Sequence, residues 1–156
     1  MSDRKQPDIY HTITPYLTVK DARVAAAFYG DVFKAQPCIN LEMPGGGVAH
    51  IEIKIGDTRF MIGEEYPDMD IKSPATLGGS PLTLVLYVDD VDAVTADAAA
   101  RGATVLAEPE DQFHGDRTAR IRDPFGHIWM LATMLEDVDD VEVVKRFNKM
   151  VSGGES

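Results

Sequence analysis

Cysteine is nearly missing from this chain: Cys38 is the single one among 156 residues. One cysteine excludes an intrachain disulfide and any paired-cysteine metal or redox motif. Its expected place is that of a small buried hydrophobe rather than a nucleophile. Basic residues are also scarce. Fifteen Lys and Arg stand against 26 Asp and Glu, for a formal charge of −11 and a pI of about 4.6. That balance argues against nucleic acid and anionic membrane surfaces as partners. It favours attraction of cationic small molecules, beside its plain role in solubility. No apolar run approaches the roughly 18 residues of a membrane span. The segment Met1–Pro7 holds no apolar stretch of the secretory type, so the expected location is cytoplasmic. Absent too are a serine nucleophile elbow, a Walker loop, a Rossmann glycine fingerprint and an HExxH helix. With 44% hydrophobic and 26% charged residues, the chain has the composition of a globular domain, not a disordered one.

What is present is a unit written twice. Thr14-Pro-Tyr-Leu-Thr-Val-Lys-Asp21 has a counterpart 69 residues on, in Thr83-Leu-Val-Leu-Tyr-Val-Asp-Asp90. The same offset carries Phe60-Met-Ile62 onto Trp129-Met-Leu131. A repeat of this length is a duplicated supersecondary module rather than a solenoid unit. Positions related by the offset are expected to face each other across a pseudo-symmetric cleft.

Each copy reads strand, helix, three strands. Ile13 to Val19 alternates with period two, and Pro15 suits an edge or an irregular start. Asp21 is placed to cap a helix over Ala22–Val32. Strands follow at Cys38–Glu42, Ala49–Ile55 and Arg59–Ile62, the first two joined by a Met-Pro-Gly-Gly-Gly turn. In Ala49–Ile55 the isoleucines 51, 53 and 55 take one face, and His50, Glu52 and Lys54 the other. Residues 63–81 read as a long connecting loop. The second copy has a strand over Leu82–Val88 and a helix over Val91–Arg101, capped by Asp90 and ended by Gly102. Strands follow at Thr104–Ala107, Thr118–Arg122 and His127–Thr133, with Pro109–Gly115 a loop. A tail helix over Val138–Val151 carries an apolar stripe of Val141, Val144, Phe147 and Val151 for docking. Residues 1–9 are polar, with frayed structure expected.

A duplicated module that ends in Asp123-Pro-Phe-Gly-His-Ile-Trp129 resembles the vicinal oxygen chelate superfamily. That group holds glyoxalase I, the bleomycin-resistance proteins and the extradiol dioxygenases. The stretches Glu110–Arg117, Arg122–Trp129 and Ala132–Asp137 resemble its PhnB-like branch. The resemblance covers about residues 10–140. It implies an α+β fold of paired βαβββ modules, with curled mixed sheets forming a trough and a C-terminal helix added. One domain over 10–135 would comprise modules 10–62 and 82–133, with 136–156 a helical tail. It also implies a homodimer.

Metalloenzymes of the superfamily hold a divalent metal on the trough floor. The positions implied for its ligands fall here at Thr14, Met61, Thr83 and Met130. Hydroxyl and thioether groups are poor ligands for a hard or borderline dication, so no metal and no other cofactor is expected there. The expected function is sequestration of a small molecule, a drug or a metabolite. Its expected pocket is Tyr16, Glu52, Met61, Tyr87, Phe113, Arg120 and Met130, with Val85 beside them. Met and aromatic residues suit flat organic ligands. Arg120, with Arg122, could hold a ligand carboxylate or phosphate, or pair with Glu52. The alternative is a metal-dependent lyase, isomerase or dioxygenase with a displaced site at His50, Glu52 and His114, since His-x-Glu on one strand face can chelate or move protons. A third reading is a partner-binding subunit using the 63–81 loop and the tail helix.

Overall fold

The structure is a computed structural model that describes residues 3–153. The chain forms two compact units, Met1–Pro81 with Phe125–His127, and Leu82–Pro124 with Ile128–Ser156. Both have the same α+β plan.

The first unit contains β1 (Tyr16–Val19), α1 (Ala22–Phe33), β2 (Gln36–Glu42), β3 (Val48–Ile55) and β4 (Thr58–Glu64). Its sheet runs β1-β4-β3-β2, with β1 parallel to β4 and the other pairs antiparallel. The register puts Leu17 beside Ile62, Ile62 beside Ile51, and Phe60 beside Ile53. These side chains form one buried face. Helix α1 packs on it through Ala25, Phe28, Tyr29, Val32 and Phe33. Phe125 meets Phe28 and Tyr29 edge-on, centroids 5.8 and 5.9 Å away. Asp21 caps α1 as its sequence position predicts, accepting from the Val24 amide at 3.1 Å.

After β4 the segment expected as loop has structure of its own. Tyr66 and Ile71 bridge, a 3-10 turn spans Pro67–Met69, and a one-turn helix α2 spans Pro74–Leu77.

The second unit contains β5 (Thr83–Tyr87), α3 (Val91–Ala100), β6 (Thr104–Asp111), β7 (Asp116–Arg122), β8 (Ile128–Met134) and the tail helix α4 (Asp140–Ser152). Its sheet runs β5-β8-β7-β6. The offset of 69 recurs in the pairing itself: Tyr16 lies beside Met61, and Val85 beside Met130. Trp129, Leu131, Ile121 and Ala119 are buried on the face that α3 covers. The Trp129 indole donates to the buried Asp123 at 2.9 Å.

Four expectations need correction. β1 begins at Tyr16, not Ile13, because Pro15 has no amide to pair and enters only through its carbonyl, which accepts from Met61 at 2.9 Å. Cys38 is exposed, since β2 is an edge strand with every residue exposed. Pro109 does not open a loop. β6 continues through it to Asp111, with register shifts on either side of Ala107, as an edge strand allows. The tail helix starts two residues later than expected, capped by Asp139 on the Glu142 amide at 2.8 Å. No residue of α4 is buried. It is held by Arg146, which binds both Glu136 oxygens, and by Phe147 against Phe113.

Candidate functional site

The open face of the first sheet carries a buried carboxylate, Glu52, with three hydrogen-bond partners. Period two puts His50, Glu52 and Lys54 opposite the isoleucines. The register then lines up Tyr16, Met61, Glu52 and Ile39 in one row across the sheet. Glu52 is 4% exposed, and both its oxygens have partners. Oε1 accepts from the Tyr10 hydroxyl at 2.6 Å and from Arg59 Nε at 2.6 Å. Oε2 lies 3.0 Å from His50 Nε2. His50 Nδ1 in turn lies 3.1 Å from the Tyr16 hydroxyl.

The electrostatics follow from these bonds. Burial pushes the Glu52 carboxyl up, but the hydrogen bonds from Tyr10, Arg59 and His50 outweigh it and hold the group below its usual value. The same bonds push the Tyr10 hydroxyl and the Arg59 guanidinium up. Arg59 also sits over the Tyr10 ring, 5.5 Å from its centre. An ionised carboxylate only accepts, so Nε2 of His50 must carry the proton toward it. In the neutral ring Nδ1 is then the acceptor, and Tyr16 donates to it.

Gly63 makes room for that last bond. A Cβ at position 63 would stand 2.9 Å from the Tyr16 hydroxyl oxygen.

The second unit has its own cluster. The Tyr87 hydroxyl donates to Asp116 Oδ2 at 2.8 Å. That bond, with burial, pushes the Tyr87 hydroxyl up. His114 Nδ1 lies 3.7 Å from the same oxygen. These three residues, with Met134, Glu136 and Val143, line a cavity of about 400 Å³. Arg120 and Met130 are register partners on the sheet. Arg120 and Arg122 have no ion-pair partner among the described residues. Phe113 belongs to the turn between β6 and β7 and packs on Phe147 of α4.

A larger cavity, about 540 Å³, opens beside α1, where Ala26, Ala27 and Gly30 face Cys38 and the isoleucines 51 and 53. It lies on the helix side of the first sheet, away from the Tyr16–His50–Glu52 chain, and contains no comparable polar network.

Sequence reasoning missed Tyr10, Arg59 and Gly63. Arg59 is diagonal to Glu52 across the Gly56-Asp57 turn, a relation that the hairpin register reveals. Tyr10 sits in an irregular segment that carries no periodic signal. His11 likewise reaches the Asp57 carbonyl at 2.8 Å. His127, which the sequence pattern places at the start of the last strand, reaches the Thr18 carbonyl at 2.9 Å.

Residues 9–131 match the family model of the Glyoxalase/Bleomycin resistance protein/Dioxygenase superfamily. The chain belongs to that superfamily. An uncharacterised protein of Mycobacterium bovis is 37% identical over 134 residues, covering 84% of this chain and 88% of its own length. The fold is similar to that of FosX, the fosfomycin resistance protein of Listeria monocytogenes, determined with Mn(II) and sulfate. The TM-score is 0.63 at 19% identity, over 88% of this chain and 97% of that one. It is also similar to a PhnB protein of Bacillus cereus, with TM-score 0.63 at 18% identity, over 79% of this chain and 99% of that one.

The superfamily raises the question of a divalent metal. At the implied ligand positions this chain has Thr14, Met61, Thr83 and Met130. The Thr14 hydroxyl already donates to the His11 carbonyl at 2.9 Å. Neutral hydroxyls and soft thioethers do not make a site for a hard or borderline dication. Among the described residues, no three His, Cys, Asp or Glu side chains come together as metal ligands. The residues do not fit the group.

Proposed function

We propose that this superfamily member binds and sequesters a small molecule, a drug or a metabolite, without a metal at Thr14, Met61, Thr83 and Met130. The observation that carries the reading is the donor set at those four positions. Two further features support it. His50 has both ring nitrogens engaged, by Glu52 and Tyr16, so neither is free to bind a metal at a displaced site. Tyr87 lines a cavity of about 400 Å³, within the size range of small-molecule sites. Under this reading Tyr16 and Met61 offer ligand contacts on the first unit, with Glu52 positioning the groups beside them, and Tyr87, Phe113, Arg120 and Met130 are the candidate contacts on the second unit. Glu52 acts through His50 and Arg59 rather than by direct exposure. The formal charge of −11 favours a cationic ligand.

We further place the chain in the PhnB-like branch and read it as a cytoplasmic homodimer. Exposed Val141, Val144 and Val151 on α4 give a second copy apolar surface to cover.

A thermal-shift screen of cationic and aromatic compounds tests the function. A ligand at 100 times its Kd adds about 2.7 kcal/mol of stability, which reads as a clear rise in Tm. Tyr87→Ala and Met130→Ala then weaken that shift. A broad panel with no shift removes the reading's support.

A further inference from the structure

We propose that Tyr16, His50 and Glu52 form an acid–base relay on the open face of the first sheet, with the Tyr16 phenol as its working end. This goes beyond sequestration, because it gives the face a chemistry of its own.

The order of the three groups and their exposure support the relay. Exposure rises outward along the chain of hydrogen bonds. Glu52 is 4% exposed, the His50 side chain 19%, and Tyr16 55%. A buried carboxylate orients a half-buried base, and the base holds the proton of an exposed hydroxyl. That is the arrangement an activated nucleophile or base requires. Tyr10 and Arg59 both bind Oε1 of Glu52, and His50 is the partner of Oε2. The two bonds to Oε1 fix the carboxylate and leave Oε2 to set the imidazole. The carboxylate fixes the Nε2–H tautomer, so the Nδ1 lone pair points to Tyr16. A glycine stands where any side chain would push the Tyr16 ring away.

The contrast with Tyr87 is instructive. Tyr87 donates directly to Asp116, and its hydroxyl is pushed up. A carboxylate bonded to a phenol in this way keeps the proton on the phenol, whereas an imidazole can take it.

The substrate class is a small molecule that presents a dissociable O–H or N–H to this face. As that bond breaks, its proton passes to the Tyr16 oxygen, and its electron pair stays on the ligand atom. The phenol's own proton passes to His50 Nδ1, and Glu52 stabilises the imidazolium. Reversal returns the proton. No oxidant, metal or cofactor is required.

The test uses N-acetylimidazole on the full-length protein, with each tyrosine followed by peptide mass spectrometry. Acetylation joins the acyl carbon to the phenol oxygen, and imidazole leaves with the proton that His50 removed. Tyr66 is the reference. It is 46% exposed, and its hydroxyl has no hydrogen bond among the described residues. Tyr29, 0% exposed, reports folding by remaining unmodified. The expected result is Tyr16 acetylation at least about tenfold faster than Tyr66, a conservative fraction of what general-base assistance supplies. His50→Gln brings Tyr16 down to the Tyr66 rate while Tyr29 stays protected, and Glu52→Gln lowers it part of the way. Equal rates at Tyr16 and Tyr66 in the unmodified sequence would overturn the proposal without recourse to any variant. So would a fast Tyr16 in a folded His50→Gln protein. Neither outcome depends on which ligand the protein sequesters, so this test and the thermal-shift screen fail separately.

Discussion

A carboxylate removed from water needs partners for both oxygens, and Glu52 has three. Period-two alternation places His50 and Glu52 on one strand face, so their proximity is legible in the sequence. Their partners are not. Arg59 becomes a neighbour only when β3 and β4 pair in the observed register, and Tyr10 arrives from a segment with no periodicity at all. The role of Gly63 is still less visible, because it consists of space left for another residue's ring. That role makes a specific prediction. Gly63→Ala presses a methyl group against the far end of an exposed side chain, which can swing away, so the stability cost stays at the low end of overpacking, about 1 kcal/mol. The Tyr16–His50 hydrogen bond is lost in the process. Long-range ¹H–¹⁵N NMR of the His50 ring reads this as a shift at Nδ1, with Nε2 unchanged. An unmoved Nδ1 resonance would mean that Tyr16 is not the partner of His50.

The starts of α1 and α3 were legible in the sequence, whereas that of α4 was not. Asp21 and Asp90 stand one residue before their helices, and both accept from an amide three residues on. The N-cap preference of Asp is local chemistry, readable without tertiary information. The 63–81 connection was not legible, because its order comes from tertiary ties. Glu65 is one of them. Its Oε1 accepts from the Ser73 amide at 2.6 Å, just ahead of α2. Hydrogen bonds from the Ser73 and Thr76 side chains and from the Ser73 backbone hold its carboxyl down from 4.5 to about 2. The folded value lies below the ordinary one. The contribution to stability is therefore complete above about 4.5 and is lost as pH falls toward 2. Glu65→Gln is expected to melt lower than the parent at pH 7. The gap between the two melting curves closes between pH 4.5 and 2. A gap that does not change with pH over this window would show that the Glu65 charge contributes nothing to folding.

At the scale of the whole molecule, the duplication was the clearest signal in the sequence, and it survives as two sheets of identical strand order. A 69-residue repeat preserves which residues pair, as Tyr16 with Met61 and Val85 with Met130 show. It does not preserve chemistry. The row that holds Tyr16, Met61 and Glu52 in the first unit holds Val85, Met130 and Arg120 in the second. The two open faces therefore carry different groups on one scaffold, and fold alone does not assign their function. The central claim is that this superfamily member works without a metal such as the Mn(II) with which FosX, similar to it in fold, was determined. Elemental mass spectrometry on untagged protein, before and after incubation with Mn, Fe(II), Ni and Zn, tests it most directly. The account predicts less than about a tenth of an equivalent under every condition, because hydroxyl and thioether donors do not retain these ions. One equivalent per chain or per dimer would contradict it and would make His50 and Glu52 the first residues to mutate.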